Sequence, residues 1–242
     1  MFDLGDTLLN FGRVQITRLF FQGAQSSYAY LKEQQQVSDS FYYYFVRNLI
    51  ILRWNHFYAS LIRRDFNSLE LLKTVGSRRG IELTDSQWEH FTGLWYEPLR
   101  QIATVESDLA QTLETLQRSG VKLGIVSNTF VHGCVLDRHL EQLNLLHFFP
   151  IRLYSYQFSF RKPDVRIFQL GADRIGESME NIMYVGDRLD NDIAPALTLG
   201  MHAVLKKAYT SIGKTIPAGT HRIDRISDLV ELVSGLNSTP MS

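Results

Sequence analysis

Cysteine is almost absent from this sequence: Cys134 is the only one among 242 residues. A lone thiol excludes an intrachain disulfide and a cysteine-rich zinc site, and it fits a reducing compartment. Charge of one sign is also lacking. The 25 Lys+Arg balance 25 Asp+Glu for a formal net charge of +0, so no bulk field draws in nucleic acid or an anionic membrane. An anionic ligand must therefore be held by a local site. Long apolar runs are missing too. The most apolar stretch, from Phe41 to Trp54, is broken by Arg47, Asn48 and Arg53, short of the ~18 uninterrupted apolar residues a membrane span needs. No signal-peptide pattern opens the chain, and a cytoplasmic protein is expected. Internal repeats, low-complexity segments, a dinucleotide fingerprint and a G-x-x-x-x-G-K-[ST] loop are absent as well, so nothing points to a P-loop nucleotide site.

What is present is enough apolar material for a real core: 45% hydrophobic against 21% charged residues. At about 150 residues per domain, the length suggests one or two domains. From about residue 105 onward, strand-like and helix-like segments alternate. Val105–Arg118 has apolar residues at helical spacing and stops at Gly120; Val121–Ser127 is a short apolar run ending in Ser-Asn-Thr. Val131–Leu145 is helical, Ile151–Tyr154 strand-like, and Pro163–Ile175 a helix with Pro in its first turn. Ile182–Val185 is another buried strand, Asp192–Leu199 a helix closed by Gly200, His202–Leu205 a strand and Ile226–Leu236 a helix, with Lys206–Gly219 as a loop. Such alternation predicts an α/β fold with a doubly wound parallel sheet.

Residues 13–100 differ. They hold all three tryptophans (Trp54, Trp88, Trp95) and show no strand–helix alternation. Gln15–Lys32, Asp39–Arg63 and Ser68–Arg79 are helix-compatible, so this stretch is expected to be a helical insert, leaving 1–12 and 101–242 as the α/β body. The run Tyr42-Tyr43-Tyr44 covers several helix faces; packing within the insert is expected for it rather than a cavity lining.

In an open α/β sheet, ligands bind beyond the carboxyl ends of the strands. Those ends carry Asp3, Gly5, Asp6 and Thr7, then Ser127 and Asn128, then Lys162, then Asp187, Asp190 and Asp192. Carboxylates gathered in this way repel unless a cation lies between them, and a hard oxygen site suits Mg²⁺. A carboxylate nucleophile, a metal and a positive clamp are the parts phosphoryl transfer requires. Taken alone, Ser127 would read as a helix cap, and Lys162 and Asp190 as solvated surface charges. Asp3, inside the apolar Met-Phe-Asp-Leu, would be costly without a partner.

The segments FDLGDTL, IVSNT, RKPDVRIF and YVGDRLDND, in that order, resemble the four motifs of the haloacid dehalogenase-like superfamily. The resemblance implies a helical cap at the insert and a hydrolase acting on a small phosphorylated substrate. By that resemblance Asp3 is the nucleophile, Ser127 and Asn128 contact the phosphoryl group, and Lys162 steadies its charge. Asp3, the Gly5 carbonyl and Asp187 form the implied Mg²⁺ set, while Asp192 supports the metal or Lys162, and Thr7 lends further support. A haloalkanoate dehalogenase needs no metal, and the acidic Asp187 site and the lack of an aromatic at Gly5 argue against one.

The pattern breaks at Gly5, where phosphatases of the family carry a second Asp as general acid and base. Help of that kind is worth ~10²–10⁴ in rate. Asp6 is one position further on and is expected to point elsewhere. A preference for good leaving groups, a replacement acid from the cap, or loss of catalysis with binding retained each follow as readings of Gly5. Only two residues precede Asp3, fewer than a central strand usually has, which leads to the expectation that the natural chain begins several residues earlier. His132 and His139 are expected to pack rather than bind metal, and Cys134 to be structural.

Overall fold

The computed structural model describes residues 1–37 and 39–238. Its body is a parallel sheet. Strand β1 (Gly124–Ser127) pairs with β2 (Ile151–Tyr154), and β3 (Met183–Gly186) with β4 (His202–Lys206), which pairs with β5 (His221–Ile223). The opening residues join the two halves. Phe2 bridges Ile125 on one side and Val185 on the other, with Phe2 N–H to Gly124 O and Asp3 N–H to Val185 O both at 2.8 Å. The spatial order is therefore β2, β1, residues 1–3, β3, β4, β5.

Side chains alternate across this sheet, as the two-residue period of a strand demands. Ile125, Tyr154, Val185 and Val204 face a core shared with α5 (Leu109–Arg118), α6 (Gly133–Gln142) and α9 (Asp228–Ser238). Val126, Leu153, Tyr184 and Ala203 face the opposite core, with α7 (Val165–Ile175) and α8 (Ala194–Thr198). Helices on both faces make the doubly wound architecture the alternation predicts.

Most element boundaries shift by a few residues from the sequence expectation, and some differences have clear causes. Pro163 lies before the helix, not in its first turn, because Asp164 takes the N-cap and accepts the Arg166 N–H at 3.0 Å. Helix α5 begins at Leu109, not Val105, since Thr104 is engaged in a bridge with Asn10. The expected helix 192–199 starts as a wide turn over Leu189–Ile193 before α8. Strand β5 was not expected at all.

The chain leaves the body at Asn10 and returns at Thr104, where the two backbones exchange hydrogen bonds of 2.8 and 2.9 Å. Between them lie α1 (Ile16–Glu33), α2 (Phe41–Ile62), α3 (Ser68–Ser77) and α4 (Asp85–Ile102). These helices have a core of their own, including Leu31, Tyr44, Leu72, Trp88 and Phe91. Gly76 is required there: a Cβ at that position would meet the Trp88 ring at 2.3 Å. Of the tyrosine run, Tyr44 is buried with its hydroxyl 2.9 Å from Ser27 Oγ, while Tyr42 and Tyr43 are exposed.

The insert grips the body through few but specific contacts. Asp65, between α2 and α3, pairs with Arg161 at 2.5 Å and accepts the Ser155 hydroxyl at 2.5 Å. Phe66 stacks on Phe130 at 4.9 Å, and the Ser68 N–H donates to Phe130 O at 2.9 Å. From α4, Tyr96 places its hydroxyl 3.0 Å from His139 Nδ1.

Candidate active site

Lys162 is the centre of the polar strand ends. The residue is 2% exposed, and its ammonium lies 2.8 Å from Asp3 Oδ1, 2.6 Å from Asp192 Oδ1 and 3.0 Å from the Tyr184 hydroxyl. These three contacts use the three donors an ammonium has. Burial alone would lower the pKa of Lys162, but Asp192 and Asp3 together raise it well above its ordinary value. The surface-charge reading of a lone lysine is thereby excluded.

Each partner is held in turn. The Tyr184 hydroxyl donates to Val126 O at 2.9 Å. The other Asp192 oxygen accepts the Arg188 N–H at 3.0 Å, so both oxygens of Asp192 are engaged. Its approach depends on Gly186, where any Cβ would sit 2.4 Å from Asp192. Asn128 clamps the loop that presents Lys162: its amide nitrogen donates to Lys162 O at 2.7 Å and its oxygen accepts the Lys162 N–H at 2.8 Å.

Asp187 sits on the opposite flank. Thr210 donates to its Oδ2 at 2.5 Å, and Thr7 to its Oδ1 at a long 3.4 Å. Burial, with Asp3 adding to it, pushes the Asp187 carboxyl up to about 7. One oxygen each from Asp3, Asp187 and Asp192 falls within 4.8 Å of the others. Two unit charges at that spacing repel by about 3–4 kcal/mol at an effective dielectric near 20. Lys162 supplies one positive charge to three carboxylates, which leaves the cluster short of cation. Because Lys162 and Arg188 occupy Asp192, the donors that remain suited to a hard divalent ion are Asp3 and Asp187.

The cluster opens into a cleft of about 280 Å³. Its walls include Asp3, Gly5, Ser127, Asn128, Lys162 and Asp187 from the predicted set. Asp192 lies beneath, fully buried. Asp6 also borders the cleft, but its backbone is left-handed (φ 54°) and its Oδ1 accepts the Phe11 and Gly12 N–H groups at 3.0 and 3.1 Å. It shapes the turn through these bonds. Asp190 is a surface charge paired with Arg188 at 2.9 Å.

Sequence reasoning missed Tyr184 and Thr210, and also Tyr96 and Leu99, by which α4 enters the cleft wall. The only signal for Tyr184 was a phenol inside an apolar strand, which needs a partner once buried. Among the described residues, no histidine joins the cluster of possible metal ligands, which is Asp3, Asp187 and Asp192. His132 caps α6, and burial with nearby Arg100 lowers His139 to about 4, leaving it neutral beside Tyr96. Burial raises the Cys134 thiol to about 11, so it is no activated nucleophile.

Comparison with known proteins bears on this arrangement. Over 130 residues the chain is 33% identical to a glyceraldehyde 3-phosphate phosphatase of Methanocaldococcus jannaschii, covering 52% of this chain and 55% of that protein. It is 30% identical over 148 residues to a ribulose-1,5-bisphosphate 5-phosphatase of Halopiger xanaduensis, covering 58% and 61%. The matches thus span little more than half the length of these relatives. A crystal structure of a HAD phosphatase from Thermococcus onnurineus shares the fold with a TM-score of 0.62 at 22% identity, covering 97% of this chain and 96% of that one. The family model for haloacid dehalogenase-like hydrolases matches residues 1–200, and the chain belongs to that family of enzymes.

Proposed function

We propose that the protein is a Mg²⁺-dependent phosphatase acting on a small phosphorylated metabolite through a phosphoryl group carried on Asp3. The observation that carries this reading is the Lys162–Asp3 pair at 2.8 Å beside the cation-poor carboxylate cluster. The names of the two relatives support the same substrate class.

In this reading one Asp3 oxygen is steadied by Lys162 and the other attacks phosphorus, breaking the bond to the leaving oxygen. Ser127 donates to the phosphoryl oxygens. Lys162 offsets the charge on nucleophile and phosphoryl group, and Asp192 with Tyr184 fixes the ammonium in place. Asp3, Asp187 and the Gly5 carbonyl would hold Mg²⁺, which supplies charge stabilisation for the transferring group. Water then attacks phosphorus, releasing phosphate and restoring Asp3. The helices of residues 13–100 act as the cap over the cleft, with Tyr96 and Leu99 in its wall.

No side chain at position 5 protonates the leaving oxygen, so that proton comes from solvent, and good leaving groups such as acyl and aryl phosphates react fastest. Gly5 also supports a second reading, a protein of the same fold that binds phosphorylated ligands without turning them over. Phosphate release from acetyl phosphate and p-nitrophenyl phosphate separates the two. Turnover with Mg²⁺ that EDTA and Asp3→Asn both abolish supports the phosphatase. Ligand-induced stabilisation without turnover in the unaltered protein supports the binding reading instead.

A further inference from the structure

Helix α2 is apolar on two faces. One is turned into the insert through Tyr44, Asn48 and Ala59. The other carries Ile50, Trp54, Phe57, Tyr58 and Leu61, spaced as successive turns of one helix face, and these side chains are between 54% and 70% exposed. None of them lines the cleft around Asp3, so the stripe is not a wall of the site described above.

Its size argues for a protein partner. A whole aromatic side chain covers about 150–250 Å². Three aromatics and two large aliphatics, each more than half open, therefore present on the order of 700 Å² in one strip. The largest apolar patch of an ordinary monomer is about 300–600 Å², and a stable interface takes about 800 Å² from each partner. Charge selects the partner. Helix α2 contains no Asp or Glu, and Arg53 is its only Lys or Arg between Ile50 and Leu61. A lipid surface is drawn by a row of cations running along such a strip; Arg53 lies within it, and the exposed Arg63 and Arg64 close one end only and do not run along it. An oppositely charged partner finds little to pair with. A second copy needs neither, because an isologous contact matches a patch with itself, and a chain of formal net charge +0 does not repel its twin.

We infer that the exposed stripe of α2 is the interface of a homodimer in which two α2 helices pack about a twofold axis. Trp54 reports on it directly, because Trp88 is buried and Trp95 half-buried. Sedimentation of the full chain up to about 100 μM, far above a micromolar dissociation constant, should give twice the 27.9 kDa chain mass. Dilution should red-shift the tryptophan emission. The double variant Trp54→Glu, Leu61→Glu should be a monomer with unchanged circular dichroism, and Ile212→Glu, an equally exposed apolar residue elsewhere, should remain a dimer. A Trp54→Ala variant, which adds no charge, should weaken dimerisation at least tenfold, so a misfolded double variant does not end the test. A monomer at 100 μM, a dimer undisturbed by either Trp54 variant, or a monomer that instead floats with phosphatidylserine vesicles would overturn the inference. Failure of the phosphatase assay leaves each of these readouts unchanged.

Discussion

At the carboxyl edge of the sheet, Lys162 directs its three N–H donors to Asp3, Asp192 and Tyr184, whereas the second half of α2 leaves its aromatic rings in solvent. Both regions are rich in groups that cost free energy where they stand, a buried charge in one and exposed apolar surface in the other. In the body the cost is offset inside the chain: each carboxylate near Lys162 has a named hydrogen-bond partner, and the remaining deficit is one of positive charge, which the proposed Mg²⁺ would fill. In the insert the exposed surface finds no cover among the described residues, and the cover inferred above is a second molecule. A cluster that lacks charge calls for a cation, and a face that lacks cover calls for a macromolecule.

The internal support should fail most severely at its most buried point. Lys162→Met leaves Asp192, 0% exposed, without its cation and with only the Arg188 N–H as partner, and should cost about 3–5 kcal/mol of stability along with activity. Urea unfolding would measure it, and adding Asp192→Asn should restore part of the loss. If Lys162→Met unfolds no more easily than the native protein, the network is not the internal support described here.

Next comes Gly5. A Cβ there would meet only Phe11 Cε2, at an ordinary 3.8 Å, so Gly5→Asp should be accepted by the fold. It should raise turnover of alkyl phosphates by about 10²-fold, with little gain for acetyl phosphate, as steady-state rates on the two substrates would reveal.

The Asp187 carboxyl links the charge deficit of the cluster to pH. Its folded value near 7 lies above the ordinary 3.8, so between those limits the folded state holds a proton that the unfolded chain has released. Its contribution to metal-free stability therefore falls as pH rises through that window. Mg²⁺ must displace the same proton, so its affinity should drop about tenfold per pH unit below 7. Calorimetric titration at several pH values, with Asp187→Asn as reference, would test this.

The smallest effect belongs to the interior of the insert. Tyr44→Phe removes the bond to Ser27 but leaves Ser27 its bond to Ala24 O at 3.1 Å, and should cost about 1 kcal/mol in unfolding experiments.

These two regions also differed in how far the sequence could be read. The body was legible because each strand is a short apolar run that ends in a polar residue, and the strand ends of a parallel sheet lie on one edge. That pattern alone places Asp3, Ser127, Lys162, Asp187 and Asp192 on one edge. Tyr184 stayed hidden because a tyrosine inside a strand looks like any core aromatic. Thr210 reaches Asp187 only through the fold, across 23 positions of chain. Strand β5, His-Arg-Ile, has no apolar run to announce it. Helix α4 contains Gly93 and Pro98, residues that interrupt a helical pattern in sequence, so its Tyr96 and Leu99 were not placed at the cleft. The exposure of the α2 stripe was also invisible, since apolar residues at helical spacing ordinarily mark a buried face.

Whether Asp3 carries the phosphoryl group, as proposed, is read from the intact mass of the protein after rapid acid quench from acetyl phosphate and Mg²⁺. The account predicts an adduct of one phosphoryl group that maps to the peptide holding Asp3, disappears on longer incubation and is absent from Asp3→Asn. Turnover that proceeds with no adduct and survives in Asp3→Asn would contradict it.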